Sequence, residues 1–160
     1  MTNSREAWTC ISTDSSGNRV LMDYLSCNVV CHVLVEHEGK CLLIFRNGTD
    51  TDDLLYAFPA GHVDDGEAFK HAACRELKEE VNLDVKEEDL DFLTAVRRAD
   101  GSAVHFIFKA KKWSGEIHNN EPDKCSEIKW VDYKEIPENS TVYTDIFRDY
   151  PNIKSFYELP

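Results

Sequence analysis

Four charged residues that close one segment could do chemistry together: Arg75, Glu76, Glu79 and Glu80. They end the stretch GHVDDGEAFKHAACRELKEEVNL, residues 61–83. From Glu67 to well past Val81 there is no Gly or Pro, and Ala, Leu, Lys and Glu dominate. Those are good helix formers. At about 100° per residue, Glu76, Glu79 and Glu80 fall within one sector of roughly 100°. Ala68, Phe69, Ala72 and Ala73 share or border that sector, whereas Glu67, Lys70, His71, Arg75 and Lys78 project mostly elsewhere. A charge run is ordinarily a solvated face. Here two costs oppose that reading. Like charges at i,i+3 and i,i+4 repel by a few tenths of a kcal/mol per pair. A sector bordered by alanines also looks inward, where unpaired carboxylates are expensive. A divalent cation removes both objections, because hard cations such as Mg²⁺ take carboxylate oxygens and complete their shell with water and substrate phosphates.

The same stretch resembles the signature of the Nudix hydrolases, G-x5-E-x7-R-E-U-x-E-E-x-G-U, where U is a bulky aliphatic residue. Gly61, Glu67, Arg75-Glu76-Leu77, Glu79-Glu80 and Leu83 fill its positions. One residue departs: Asn82 stands where the family has Gly. That position follows the helix end and calls for a left-handed residue, for which Asn is the usual second choice. The departure therefore touches the helix cap and not the charged positions.

What the resemblance implies is a metal-dependent hydrolase that cleaves the pyrophosphate bond of a nucleoside diphosphate linked to another moiety. Its cofactor would be Mg²⁺ or Mn²⁺, which polarises a phosphoryl group and lowers the pKa of bound water. Glu76, Glu79 and Glu80 resemble the metal-binding residues, and the carbonyl of Gly61 resembles a further ligand. Glu76 also matches the general base of some members. Arg75 stands one turn before Glu79 and can orient it by an i,i+4 ion pair. Glu67 joins the same network in a structural role. Glu121 resembles a loop residue that adds a metal ligand or base, with Glu127 as the alternative. Substrate contacts are expected from Arg46, which reads equally as a surface residue, from whichever of the strand neighbours Arg97 and Arg98 points inward, and from Asn139 at a base edge. His62, in the loop after Gly61, reads as exposed or as a proton carrier.

For the substrate, the markers of subfamilies acting on ADP-ribose, dinucleoside polyphosphates, NADH and coenzyme A are missing. Residues 96–101 (VRRADG) show neither the Pro nor the Tyr such enzymes carry there. Elimination leaves a (deoxy)nucleoside triphosphate, with an oxidised purine nucleotide among the options. The alternative is a Nudix domain that senses a nucleotide or sugar nucleotide without turnover; such domains show damaged acidic positions, and here all are filled.

The remaining chain must position this stretch. Its 160 residues suffice for one domain with a real core. A net charge of −12 argues against a general nucleic-acid or anionic-membrane binder, which needs a basic footprint. The expected partner is a small-molecule nucleotide, with no nucleic acid and no membrane; a homodimer stays open. No long apolar run offers a membrane span, and the start, MTNSREAWTC, lacks a secretory pattern. Six cysteines without a CxxC pair read as reduced thiols of a cytoplasmic protein.

Residues 1–26 read as an N-terminal arm or short hairpin, turning at Ser15-Ser16-Gly17-Asn18. The runs at 29–36, 41–46, 54–59, 103–109 and 127–132 read as strands, with another inside 89–98. His105 reads as a packed, hydrogen-bonded histidine, and Tyr56, Phe58 and Phe106 as core in preference to base-stacking rings. Residues 141–150 and 152–159 read as one or two short helices broken at Pro151. Strands on both sides of one long helix give an α+β arrangement. The resemblance refines it to an α/β/α sandwich around a mixed sheet, over a domain at 27–136 with a helical tail at 137–160.

Overall fold

The computed structural model describes residues 9–13, 15–23 and 27–159. The first described elements are an antiparallel hairpin of β1 (Thr9–Thr13) and β2 (Arg19–Asp23) in a sheet of its own. β3 (Asn28–His37) and β4 (Lys40–Arg46) follow, then the short β5 (Tyr56–Ala57) and β6 (Ala60–His62). Helix α1 (Phe69–Val81) comes next. β7 (Leu90–Arg98), β8 (Ala103–Ala110) and β9 (Cys125–Asp132) lead to a four-residue α2 (Val142–Asp145), a 3₁₀ turn (Ile146–Asp149) and β10 (Phe156–Leu159).

The main sheet is mixed. β3 runs parallel to β8, and β10 runs parallel to β7, while the other pairs are antiparallel. β3 and β4 pair only next to their turn, at Glu36–Cys41 and His37–Lys40. Beyond it they part. β6 takes the place beside the first half of β3, with Gly61 opposite Cys31. β5 and β9 flank β4. This opening is where the glycine turn enters.

Alternation along β3 divides the core. Cys31, Val33 and Val35 face α1 and pack with Ala72, Ala73, Leu77 and Val81. Leu34 faces the other way and packs with Leu43, Phe58, Ile107, Tyr143 and Phe147. One helix lies on one face and the short C-terminal helical segment on the other, which is the expected α/β/α sandwich. Phe58 is core, as its sequence context suggested, and meets Phe147 edge to face at 5.0 Å.

α1 stops where the family signature wants glycine. Asn82 takes φ 61° and ψ 23°, its N–H caps carbonyls of the last turn, and its side chain donates to the Glu116 carbonyl. Asn tolerates this left-handed geometry and adds a tether that Gly lacks.

Two expectations need correction. Residues 54–59 are not one strand: only Tyr56–Ala57 pairs with β4 before Ala60–His62 turns to β3. Residues 152–159 do not form a helix. Phe156–Leu159 adds a parallel strand beside Ala95–Arg98 of β7. Alternating Phe156, Tyr157, Glu158 and Leu159 satisfies an open sheet edge, so the tail at 137–160 is helical only at its start.

Candidate active site

α1 packs its alanines on the sheet, and this decides what each carboxylate meets. Glu80 is turned inward and is 9% exposed. Its Oε2 accepts the Ala60 N–H at 2.9 Å. Burial, reinforced by the charges of Glu76 and Glu121, pushes its carboxyl up to about 8. Glu76, largely covered, is also raised, chiefly by burial, with Arg75 opposing. Glu79, by contrast, is half exposed at the rim.

Arg75 ties the group together. Its Nη1 donates to Glu76 at 2.7 Å and to Glu79 at 3.1 Å. Its Nε and Nη2 hold Glu67 in a bidentate fork at 2.9 Å, and Nη2 also donates to the His62 carbonyl. The helical-wheel expectation that Arg75 points away is thus overturned by side-chain length: the guanidinium curls back across the helix face. The fork holds the Glu67 carboxyl down at about 2. Glu67 also accepts the Asp64 N–H, fixing the turn before α1.

Gly61 lies against this cluster. A Cβ there would come within 2.0 Å of the Glu76 carboxylate. We predict that Gly61→Ala displaces the Glu76 carboxylate from Arg75 and lowers kcat at least about tenfold, with little change in melting temperature because a flexible side chain absorbs the clash. Steady-state kinetics with a thermal melt checks both.

These residues line a cavity of about 290 Å³ that includes Arg46, Gly61, Arg75, Glu76, Glu79, Glu80, Glu121 and Lys124. Glu121 faces the helix and pairs with Lys124 at 2.7 Å. Glu127, the alternative to Glu121, lies outside and hydrogen-bonds Tyr56. Arg46 donates to the Thr51 carbonyl, and its Nε is buried without a partner among the described residues. It borders a second cavity of about 360 Å³, which shares Arg46, Ala60, Gly61 and His62 with the first. Arg98 lines that second cavity. Arg97 does not; it pairs with Glu158 of β10, as the alternation of strand neighbours requires. Asn139 lies outside both cavities, donates to the Leu54 carbonyl and accepts the Tyr56 N–H through its own carbonyl. Of the four residues expected at the substrate, Arg46 and Arg98 line these cavities and Arg97 and Asn139 do not.

Whether a cation fits follows from the donors. Among the described residues no three acidic, His or Cys side chains close a metal cage by themselves. The cavity does gather carboxylate oxygens: those of Glu76 and Glu79 around one guanidinium nitrogen, with buried Glu80 behind them. A hard cation that keeps waters and phosphates in its shell fits such a partial site.

A family model for the NUDIX domain matches residues 26–150. The chain belongs to the Nudix family. An ADP-ribose pyrophosphatase of Methanocaldococcus jannaschii is 28% identical over 134 residues, covering 82% of this chain and 78% of that relative. The crystal structure of a MutT Nudix hydrolase from Burkholderia pseudomallei superposes with a TM-score of 0.71 at 27% identity, over 79% of this chain and 99% of that one. A Nudix hydrolase from Nitrosomonas europaea is similar in fold, with a TM-score of 0.68 at 16% identity, over 99% and 97% of the chains. The protein is thus a Nudix hydrolase, and no described helix is long and apolar enough to cross a membrane. Sequence reasoning passed over two features of this Nudix chain. Lys124 places a cation at the first cavity, and His32 lines the second. His32 had one signal, a lone polar residue within a β-branched run, but nothing local told which strand would lie beside it.

Proposed function

We propose that this Nudix hydrolase cleaves the pyrophosphate bond of a (deoxy)nucleoside triphosphate, an oxidised purine nucleotide among them, with Mg²⁺ or Mn²⁺. One observation supports it most: Glu76, Glu79 and Glu80 converge beside Gly61 on a cavity that opens into a second one large enough for the rest of a nucleotide. The residues that would hold the cation are Glu79, Glu80 and Glu76, with the Gly61 carbonyl and Glu121. When bound, the cation supplies charge for the phosphoryl oxygens and a more acidic water. Arg75 holds Glu76 and Glu79 in place, and Glu67 holds Arg75. Arg46 and Lys124 offer positive charge to the phosphate chain in a protein that otherwise repels it. Glu76, whose burial makes it a better proton acceptor than an exposed carboxylate, is suited to deprotonate the attacking water. Cys27, Cys31, Cys41, Cys74 and Cys125 are free thiols, which supports a reducing compartment such as the cytoplasm.

A second reading, ADP-ribose as substrate, is favoured by the archaeal relative's name. One panel decides among the readings. Purified protein is incubated with Mg²⁺ or Mn²⁺ and NTPs, dNTPs, an oxidised dGTP, ADP-ribose, dinucleotides and sugar nucleotides, and products are scored. Hydrolysis of a triphosphate at more than about ten times the efficiency of ADP-ribose is expected. The reverse ratio supports the second reading. No turnover with tight binding of one compound supports a sensor.

A further inference from the structure

Three of the five large apolar side chains left exposed among the described residues stand on one face of the sheet: Phe69, Phe92 and Phe156, at 43%, 50% and 50%. Strand register puts the last two on the side that carries α1. Phe106 packs against the α1 core, and Ala95 lies opposite it, so Ala95 points the same way. Phe156 lies opposite Ala95, and Glu158 opposite Arg97, so both share that side. Phe92 lies opposite Phe108, itself part of the α1 core. At this end α1 reaches as far as Phe69, whose ring stacks on Phe106 at 4.8 Å. Between that ring and the edge strand β10, Phe92 and Phe156 are left to solvent. The face begins as a recess of about 470 Å³ over Phe69, Phe92, Phe106 and Phe108. It continues through Ala95 and Phe156 to Arg97 and Glu158. None of these residues lines either cavity of the active site.

Three half-exposed phenylalanine rings leave roughly 300 Å² of apolar surface, at about 150–250 Å² per aromatic side chain. That matches the largest patch of a typical monomer, which is often a contact surface. It is less than half of the about 800 Å² per partner of a standard interface, so a complex formed here draws on the rim and depends on concentration. The sizes and charges say what fits. Two successive rows across β7 and β10 set a small residue beside a large one, Ala95 with Phe156, and a cation beside an anion, Arg97 with Glu158. A twofold axis along the strands, between β7 and β10, exchanges the two members of each row across an interface. Phe156 of one copy then seats over Ala95 of a second copy, and Arg97 meets the second copy's Glu158. The two Phe92 rings come side by side near the axis. α1 of each copy passes outside the β10 edge of the other, so two sheets can approach to the usual 10 Å or so with side chains interdigitating. The chain carries a net charge of −12, so two copies repel over most of their surface. On this face the charges balance, and a strongly charged partner finds no complement.

We propose that the β7–β10 face is the interface of a homodimer in which Phe156 of each copy packs on Ala95 of the other. The proposal stands apart from the catalytic reading, because both cavities lie elsewhere and stay open in such a dimer.

Sedimentation of the full chain from about 1 to 200 µM tests it, the range in which a micromolar dimer forms. The mass is expected to rise from one chain to two. Phe92→Lys sets two ammonium groups side by side near the axis and should weaken the dimer at least about tenfold. Leu54→Lys, at an equally exposed apolar residue off this face, should change it by less than about twofold. Arg97→Glu and Glu158→Arg each set like charges against each other and should weaken self-association at least about threefold. Mixed in equal amounts, these two variants should form a heterodimer tighter than either forms alone, read by native mass spectrometry. Both side chains are well exposed, so the variants stay folded, which a thermal melt checks. A chain that stays monomeric throughout the range overturns the proposal; that is also the outcome if a different protein or the chain's own first residues cover this face. A dimer indifferent to Phe92→Lys overturns it too, as does a mixture of the charge variants that associates no better than either alone.

Discussion

Glu79→Gln is expected to lower kcat at least about 100-fold while the protein stays folded. Glu79 sits half exposed at the rim of the carboxylate cavity, and its carboxylate accepts from Arg75 Nη1 at 3.1 Å. Glutamine keeps the length of the side chain and an oxygen that can accept from Arg75. Only the negative charge is lost. An exposed ion pair contributes about 0–1 kcal/mol, so the melting temperature should move by no more than about 4 °C. The catalytic loss is far larger, because a carboxylate that helps hold a cation at a phosphoryl group acts mainly in the transition state, where one missing electrostatic contact costs about 10²–10³ in rate. The half-saturating Mg²⁺ concentration should rise as well. Glu127→Gln is the control: Glu127 lies outside the cavity against Tyr56 and Lys129, and its replacement should leave kcat within about twofold. Near-normal turnover in Glu79→Gln removes Glu79 from the site.

The charged helix was legible because its information is local. Helix propensity, the spacing of Arg75, Glu76, Glu79 and Glu80, and the left-handed stop at Asn82 all lie within one short stretch. The wheel also placed the three carboxylates in one sector. It could not say which edge of that sector the sheet would cover, so it did not separate buried Glu80 from exposed Glu79. That distinction comes from Ala60, whose N–H meets Glu80 from a strand twenty residues away. Long-range pairing hid more. The strand runs at 29–36 and 41–46 are adjacent in sequence, yet β3 and β4 pair at only two residue pairs; the principal neighbours of β3 are β6 and β8. His32 and His105 are joined by that β3–β8 register and by nothing in their own neighbourhoods. Arg97 and Arg98 are strand neighbours and alternate in direction, yet only β10, itself read as helix, shows that Arg97 pairs with Glu158.

Glu80→Gln is expected to separate stability from activity with opposite signs. The Glu80 carboxyl sits at about 8 in the folded chain, against 4.5 when unperturbed. The folded state therefore keeps a proton that the unfolded state loses. Stability contributed by this group is complete below about pH 4.5 and is lost as pH rises through about 8, since the folded state binds more protons across that window. Burial is the main cause, and the neighbouring charges of Glu76 and Glu121 add to it. Glutamine has no such charge to bury and can still accept the Ala60 N–H. In metal-free protein at pH 8, Glu80→Gln should exceed the wild type in stability by on the order of 2–4 kcal/mol, and the difference should shrink towards zero near pH 4.5. Denaturant unfolding at a series of pH values in chelator measures it. Adding Mg²⁺ should reverse the order. The wild type gains a counter-charge for Glu80 and releases protons on binding near pH 7, whereas the variant gains little and releases fewer. Turnover in the variant should fall at least about 100-fold, because the ion loses a ligand. Equal stability of the two proteins from pH 5 to pH 8 would mean that Glu80 is charged in the metal-free fold, and that the cation is not what makes three carboxylates on this helix tolerable.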